Sequence, residues 1–473
     1  MINKSIFNKD FKELILHSKN YLSAEFISLL IGFIALPFYT RLLSPSDFGI
    51  MSVFISFVTL LSVILGLGIR GAILRYFYED KGDFYDFFNT NITLSFIIGF
   101  ILILGFFFFG KTIQSFFEIP LTLLYYGVII SFFTVFIQLY QAYLQASKKS
   151  VVLSFQKIIQ VVIGVGFSVL IMYYLAEEKY YGRAYAMLAS VLVLTIIIFY
   201  RIRFFFSFSL KKKYIVYSLS FGLPIVLHLI SQNILTTFDQ VMINNILGEK
   251  ETGLYSIAYR IGMIQNSIVA ATLVAWTPIF YKNINLKKYL DNNSLTKKYI
   301  IIITFITLSL ILFSKEILTI FADESYHEAL PVIPIVVIGY FLFFLYSIYV
   351  VHSFYMKKTK FITFTTILVG TINVSLNFLL IPIYGYIGAA WSTLISYLIL
   401  FLIHFIISKY RYKKYIPINF IFLIIPSVLI IIGYFFNSYL IIKDFDFLIN
   451  IFLKILGMMF FTSILFFLNK RIN

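Results

Sequence analysis

Along this chain the apolar residues run in long unbroken stretches instead of alternating or recurring on one face. A helix needs roughly 20 mostly apolar residues to cross a bilayer. Stretches of that length lie near 21–40, 48–69, 87–109, 122–145, 151–175 and 182–200. A second series lies near 217–245, 253–280, 299–321, 331–356, 361–382 and 386–407, and two more near 417–436 and 447–468. The pattern predicts an all-α polytopic membrane protein with 14 transmembrane helices. Closed barrels are the other structure a bilayer tolerates, but their strands alternate apolar and polar positions, and these runs do not. Connections are short, the longest about 281–298, so no soluble domain of useful size is expected. The basic N-terminus shows no small-residue cleavage site behind a short apolar core and is expected to be retained.

Composition sharpens this picture. Of 473 residues 60% are apolar and 12% charged, with a mean hydropathy of +0.93. A soluble domain carries about 25% charge. With no cysteine and only five scattered histidines, disulfides, thiol catalysis and zinc or iron–sulfur centres are not expected. The net charge of +17 suggests nucleic acid at first, but the cations lie between the spans, so no nucleic-acid partner is expected. Placing the N-terminus inside puts 28 Lys/Arg in the cytoplasmic segments, among them Arg70, Arg75, Lys81, Lys148, Lys149, Arg201, the run Lys409 to Lys414, Lys470 and Arg471. The opposite side holds seven, Arg41, Lys111, Lys179, Arg183, Lys250, Lys315 and Lys443, and twelve of the 21 acids. Cytoplasmic loops are rich in Lys and Arg. Both termini are therefore expected in the cytoplasm, and one miscounted span would invert half of this asymmetry.

The two halves resemble each other at a spacing of just over 200 residues. Leu43-Ser-Pro-Ser-Asp-Phe-Gly-Ile-Met-Ser52 matches Leu247-Gly-Glu-Lys-Glu-Thr-Gly-Leu-Tyr-Ser256, and Gly182-Arg-Ala-Tyr-Ala-Met-Leu-Ala-Ser190 matches Gly388-Ala-Ala-Trp-Ser-Thr-Leu-Ile-Ser396. The basic turns Lys148-Lys149 and Lys357-Lys358 fall at matching places. Six spans per copy is an even number, so both copies share one orientation. Parallel repeats of this kind belong to transporters whose lobes rock about a central cavity. The division expected is a six-helix lobe over 1–204, a second over 205–410, and two additional helices over 411–473.

Particular stretches resemble a known family. Leu36-Pro-Phe-Tyr-Thr-Arg-Leu-Leu-Ser-Pro-Ser-Asp-Phe-Gly-Ile50 with Arg75-Tyr-Phe-Tyr-Glu79 looks like the start of a polysaccharide flippase of the O-antigen, Wzx type. So do Phe221-Gly-Leu-Pro224, Phe238-Asp-Gln-Val-Met-Ile243, Leu247-Gly248 and Gly253-Leu-Tyr-Ser-Ile-Ala-Tyr259. These flippases belong to the multidrug/oligosaccharidyl-lipid/polysaccharide exporter superfamily. The resemblance implies two six-helix lobes and two further helices in the bacterial inner (plasma) membrane. The implied activity is non-enzymatic transfer of undecaprenyl-diphosphate-linked oligosaccharide from the inner to the outer leaflet, for O-antigen or capsule synthesis. It also implies membrane lipids and polysaccharide polymerase and chain-length machinery as partners. A multidrug/toxin exporter or a lipid II flippase on the same fold are the alternatives. A membrane polymerase or glycosyltransferase would need a large outer loop with catalytic acids, and the longest outer loop is about 315–330.

A charge near the bilayer centre costs at least about 2.5–3.5 kcal/mol, so it usually faces a cavity or a partner. Glu25, Lys157, Asp239, Arg260 and Lys454 lie within spans, and Arg41, Arg70 and Arg75 at span ends. Guanidinium groups grip a diphosphate through forked hydrogen bonds. The family likeness makes Arg260, on the eighth span, the leading substrate contact, followed by Arg41, Arg70 and Arg75. Lys157 is a further candidate, as is Glu25, whose alternatives are a proton carrier, the neutraliser of a cavity arginine, or half of a structural ion pair. Lys454 is expected to snorkel or pair locally. Asp239 with Asn373 and Asn377, which share a helix face by their i, i+4 spacing, forms an oxygen-rich set suited to Na⁺; helix-packing asparagines are the alternative. The likeness to the lipid II flippase adds Thr393. No prosthetic cofactor is expected, and the coupling ion is expected to be Na⁺ or H⁺. His228, His352 and His404 read as packed or interfacial residues.

Overall fold

The computed structural model describes residues 4–79, 82–203, 206–411, 421–443 and 445–470. Lys81, Lys413, Lys414, Arg471 and the side chains of the four lysines before the first span lie outside the described residues. Within the described residues every regular element is helical. In chain order these are α1 (Lys4–Leu42), α2 (Pro45–Gly66), α3 (Ile69–Phe77), α4 (Phe84–Phe117), α5 (Leu121–Ala146) and α6 (Ser150–Val161). After a π turn come α7 (Phe167–Tyr174), α8 (Tyr181–Ile202), α9 (Lys212–Leu247), α10 (Glu249–Asn285), α11 (Tyr289–Leu312) and α12 (Ser314–Phe321). The last are α13 (Val332–Tyr355), α14 (Thr359–Tyr384), α15 (Tyr386–Arg411), α16 (Ile421–Lys443) and α17 (Phe447–Lys470). Fourteen helical stretches are long and apolar enough to cross a membrane, matching the fourteen expected.

Three spans differ in detail. The second ends at Gly66, because Leu67 and Gly68 adopt left-handed backbone (φ 45° and 66°) and the chain restarts as α3. A Cβ on Gly68 would lie 2.4 Å from the Gly222 carbonyl oxygen, so glycine meets both needs of this crossing. The fifth carries a π turn at Val162–Gly166, whose freed carbonyl at Gly164 accepts from Arg183 Nη1 on α8. The ninth, expected at 299–321, runs instead over Tyr289–Leu312; the chain bends at Phe313 and continues as α12. There Ser314 Oγ accepts from Asn437 (3.2 Å) and Glu316 takes both carboxylate bonds from Lys454, at 2.7 and 2.8 Å. The bend serves these partners on α16 and α17.

The stretch that carried the family likeness has a plain local role. Ser44 caps α2: its Oγ accepts from the Asp47 backbone amide (3.1 Å), Asp47 Oδ2 accepts from the Ser44 amide (3.2 Å), and Pro45 sits at the first helical position. Such a reciprocal box satisfies two amides that a helix start otherwise leaves without partners.

The chain divides into two units, Met1–Gly253 and Leu254–Asn473, with the boundary inside α10. In the first, α2 and α5 are the most enclosed spans, and α9 packs along α2, α3 and α4. In the second, α13 is enclosed by α11, α14 and α15, while α16 and α17 lie against α11. Lipid tails are as apolar as Leu, so helices associate through close packing and hydrogen bonds. Gly99 receives the Phe132 ring and Gly127 the Phe57 ring, where an added Cβ would come within 2.1 and 2.7 Å of ring carbons.

Candidate functional site

In the first unit the span-end arginines have different partners. Arg41, in the last turn of α1, donates from Nη1 to the Pro37 carbonyl one turn back (2.9 Å). Arg70 and Arg75 lie on the short α3. Arg70 Nη2 reaches an amide oxygen, Gln145 Oε1, at 3.4 Å. Arg75 Nε bonds Glu79 Oε1 at 3.1 Å, and its guanidinium lies 5.3 Å above the Phe221 ring. Arg75 is thus tied to Glu79 and α9, whereas among the described residues Arg41 and Arg70 donate to neutral oxygens, the Pro37 carbonyl and Gln145 Oε1.

Glu25 and Lys157 come together: Nζ lies 2.8 Å from Glu25 Oε2, joining α1 to α6. Of the alternatives for Glu25, the structure shows the ion pair. Both side chains are partly exposed, 60% and 35%, so this pair stands on a helix surface away from the closed core. Asp239, on α9, is buried, as are Gln240, Val241 and Met242, which follow it in the chain.

In the second unit Arg260 lies two turns past the boundary on α10, half-buried between buried neighbours. Asn373 and Asn377 of α14 and Thr393 of α15 are buried together. Asn377 Nδ2 lies 3.5 Å from Asn373 Oδ1, and Asn373 Nδ2 lies 3.5 Å from Thr393 Oγ1. Those separations are at the outer limit for hydrogen bonds. Among the described residues no three His, Cys, Asp or Glu side chains group as a metal site. His404 is buried, with Nε2 3.1 Å from Thr365 Oγ1 and its ring against Tyr346; His352 packs edge-on to Phe280.

One cluster escaped the sequence. Asp83, between α3 and α4, accepts from Tyr214 (2.6 Å), Tyr76 (2.7 Å) and Lys213 (3.2 Å). Beside it Tyr217 donates to Glu79 (2.7 Å), and Tyr76 stacks on Phe87 with centroids 3.9 Å apart. Lys211 pairs with Asp86 at 2.5 Å. The start of α9 is thereby fastened to α3 and α4 at the basic end of the spans. Only the i, i+4 spacing of Arg75 and Glu79 could have signalled it.

The profile of the polysaccharide biosynthesis protein family matches residues 20–284, and that of the MatE family matches residues 224–379. A Haemophilus influenzae protein described as Lsg locus putative protein 1 is 29% identical over 283 residues, 57% of this chain and 66% of its own length. An uncharacterized membrane protein of the same organism is 23% identical over 362 residues, 75% of this chain and 87% of its own. Among solved structures, the lipid II flippase MurJ in an inward closed conformation superposes with a TM-score of 0.76 at 18% identity, over 95% of this chain and 98% of that one. An inward-facing multidrug resistance MATE family transporter gives a TM-score of 0.65 at 17% identity, over 84% and 98%.

Proposed function

The chain belongs to the polysaccharide biosynthesis protein family, membrane flippases of the multidrug/oligosaccharidyl-lipid/polysaccharide exporter superfamily, and from that premise we propose that it moves undecaprenyl-diphosphate-linked oligosaccharide across the bacterial plasma membrane. Transfer runs from the cytoplasmic to the outer leaflet by alternating access, supplying O-antigen or capsule synthesis. The family and its fold neighbours are transporters and flippases, not enzymes.

The observation that carries this reading is the state of the arginines. Among the described residues Arg41 and Arg70 donate to neutral oxygens and pair with no carboxylate. A forked guanidinium without a carboxylate is suited to a diphosphate, whereas an exporter of cationic drugs needs acids in those places. Arg260 of the second unit is assigned the main contact to the diphosphate, and Arg41 and Arg70 of the first are assigned further contacts. Arg75, held by Glu79, and Lys157, held by Glu25, are assigned supporting roles through their partners. Both termini are assigned to the cytoplasm, as the loop charges favour. The proposed coupling ion is Na⁺, with Asn373, Asn377 and Thr393 of the second unit as candidate oxygen donors and Asp239 of the first as a separate candidate, and H⁺ is the alternative.

The test is a deletion strain in which the leaflet holding the lipid-linked oligosaccharide is assayed. Cytoplasmic accumulation, rescued by the intact chain and not by Arg260→Ala inserted at normal level, is expected. Lipid-linked oligosaccharide of normal sidedness, with new sensitivity to cationic dyes, would move the chain to drug export. Normal surface glycan in Arg260→Ala would remove that residue from transport.

A further inference from the structure

At the basic end of the first unit a cavity of about 140 Å³ opens between α5, α6 and α8. That is roughly ten times the space one water requires. Two cations stand at its mouth, Lys149 just before α6 and Arg201 in the last turn of α8. Both are exposed, and neither pairs with a carboxylate among the described residues. Lys149 Nζ lies 5.3 Å from the Tyr143 ring centroid, a contact that leaves its charge intact.

Deeper in, Gln156 is 4% exposed, and its Oε1 has no hydrogen-bond partner. A buried acceptor left without a donor costs about 1–3 kcal/mol, so this atom calls for a donor from outside the chain. Gln156 lies seven residues, or about 10 Å, along the helix from Lys149. Below the mouth the walls turn apolar, and Val152, Phe155 and Ile197 are exposed on the face that a bilayer covers. None of the arginines assigned to the substrate lines this pocket.

We propose that this pocket binds the head group of an anionic phospholipid that carries free hydroxyls, of the phosphatidylglycerol type. The phosphate sits between Lys149 and Arg201, a head-group hydroxyl donates to Gln156 Oε1, and the acyl chains run along Phe155 and Ile197. Basic pockets between helices at the cytoplasmic face are suited to such head groups. A zwitterionic lipid would bring its own cation against Lys149 and Arg201. Phosphatidic acid would lack the glycerol donor. The inference concerns a resident lipid and holds whichever glycan the chain moves.

The test uses the full chain in phosphatidylcholine nanodiscs, with retained lipid read by native mass spectrometry as phosphatidylglycerol is titrated in. Phosphatidylglycerol is expected to be retained in preference to phosphatidylcholine of the same chains. Each cation contributes about fivefold in affinity, so Lys149→Gln with Arg201→Gln, both exposed, is expected to weaken retention roughly 25-fold. Gln156→Leu is expected to abolish the preference for phosphatidylglycerol over phosphatidic acid while leaving the charge attraction. The proposal is overturned if the double variant retains phosphatidylglycerol as the intact chain does, or if phosphatidylcholine is held equally well. It is also overturned if inorganic phosphate alone displaces the lipid at matching concentration, which would make free phosphate the ligand. Should Gln156→Leu fail to fold, the two surface variants still decide the matter.

Discussion

Asp83 is a single carboxylate on which three donors converge. The hydroxyls of Tyr214 and Tyr76, with Lys213, hold its pKa down to about 2 from an ordinary value of 3.8. A carboxylate depressed in the folded state stabilises fully above its unfolded pKa, and the benefit fades as pH falls through the folded value. The window is therefore about pH 4 to pH 2, and the cluster does not titrate near neutrality. Asp83→Asn is expected to lower the melting temperature of the purified chain by an amount that is constant from pH 5 to 8. That difference should shrink toward zero between pH 4 and 2; a difference that changes between pH 6 and 8 would show that another group controls the contact. The residue scale also shows what the sequence could convey about the sites. Glu25 and Lys157 were readable as mid-span charges in want of partners, because bilayer cost alone flags them. That they meet each other at 2.8 Å depends on how α1 lies on α6, which no spacing encodes. Lys454 was expected to pair or snorkel, and it pairs with Glu316, a residue counted in sequence as an outer-loop acid. The Asp83 cluster was invisible because its members lie some 130 residues apart.

Between elements, two glycines carry a relation that the repeat makes legible. Gly49 on α2 and Gly253 on α10 occupy matching positions in the two copies. A Cβ on Gly49 would lie 2.0 Å from the Glu249 carbonyl oxygen, and one on Gly253 would lie 1.8 Å from that of Pro45. Pro45 and Glu249 are themselves a matched pair. Each glycine meets the carbonyl oxygen of the residue four positions before the other, so the close approach is reciprocal. Backbone meets backbone there, so no side chain can give way. Gly49→Ala and Gly253→Ala are each expected to cost about 1–3 kcal/mol, the usual range for overpacking, and to behave alike in melting temperature and surface polysaccharide. Gly105→Ala, on α4 with no atom within 4 Å of an added Cβ, is the matched control and is expected to be neutral or slightly stabilising. If only one of the crossing glycines tolerates alanine, the reciprocal relation fails. The spans were legible because a 20-residue apolar run has few structural meanings. The breaks at Leu67, Val162 and Phe313 were not, since each follows from a partner on another helix: Gly222, Arg183, and the pair Asn437 and Lys454.

At the scale of the molecule, transport against a gradient needs a ligand whose binding differs between two states of the whole chain, since a ligand with equal affinity for both shifts nothing. The proposed sodium ion is that ligand. Its candidate oxygens are those of Asn373, Asn377 and Thr393, all in the second unit. If these residues act on one ion, their effects must be non-additive. Asn373→Leu and Thr393→Val are each expected to remove the dependence of glycan export on external Na⁺, and the double variant is expected to be no worse than either alone. A proton-coupled cycle predicts otherwise: export in the intact chain would follow external pH, ignore Na⁺, and still be lost in Asp239→Asn. Export measured across Na⁺ concentration at fixed membrane potential separates the two, because potential alone drives both cycles while only one of them saturates with sodium.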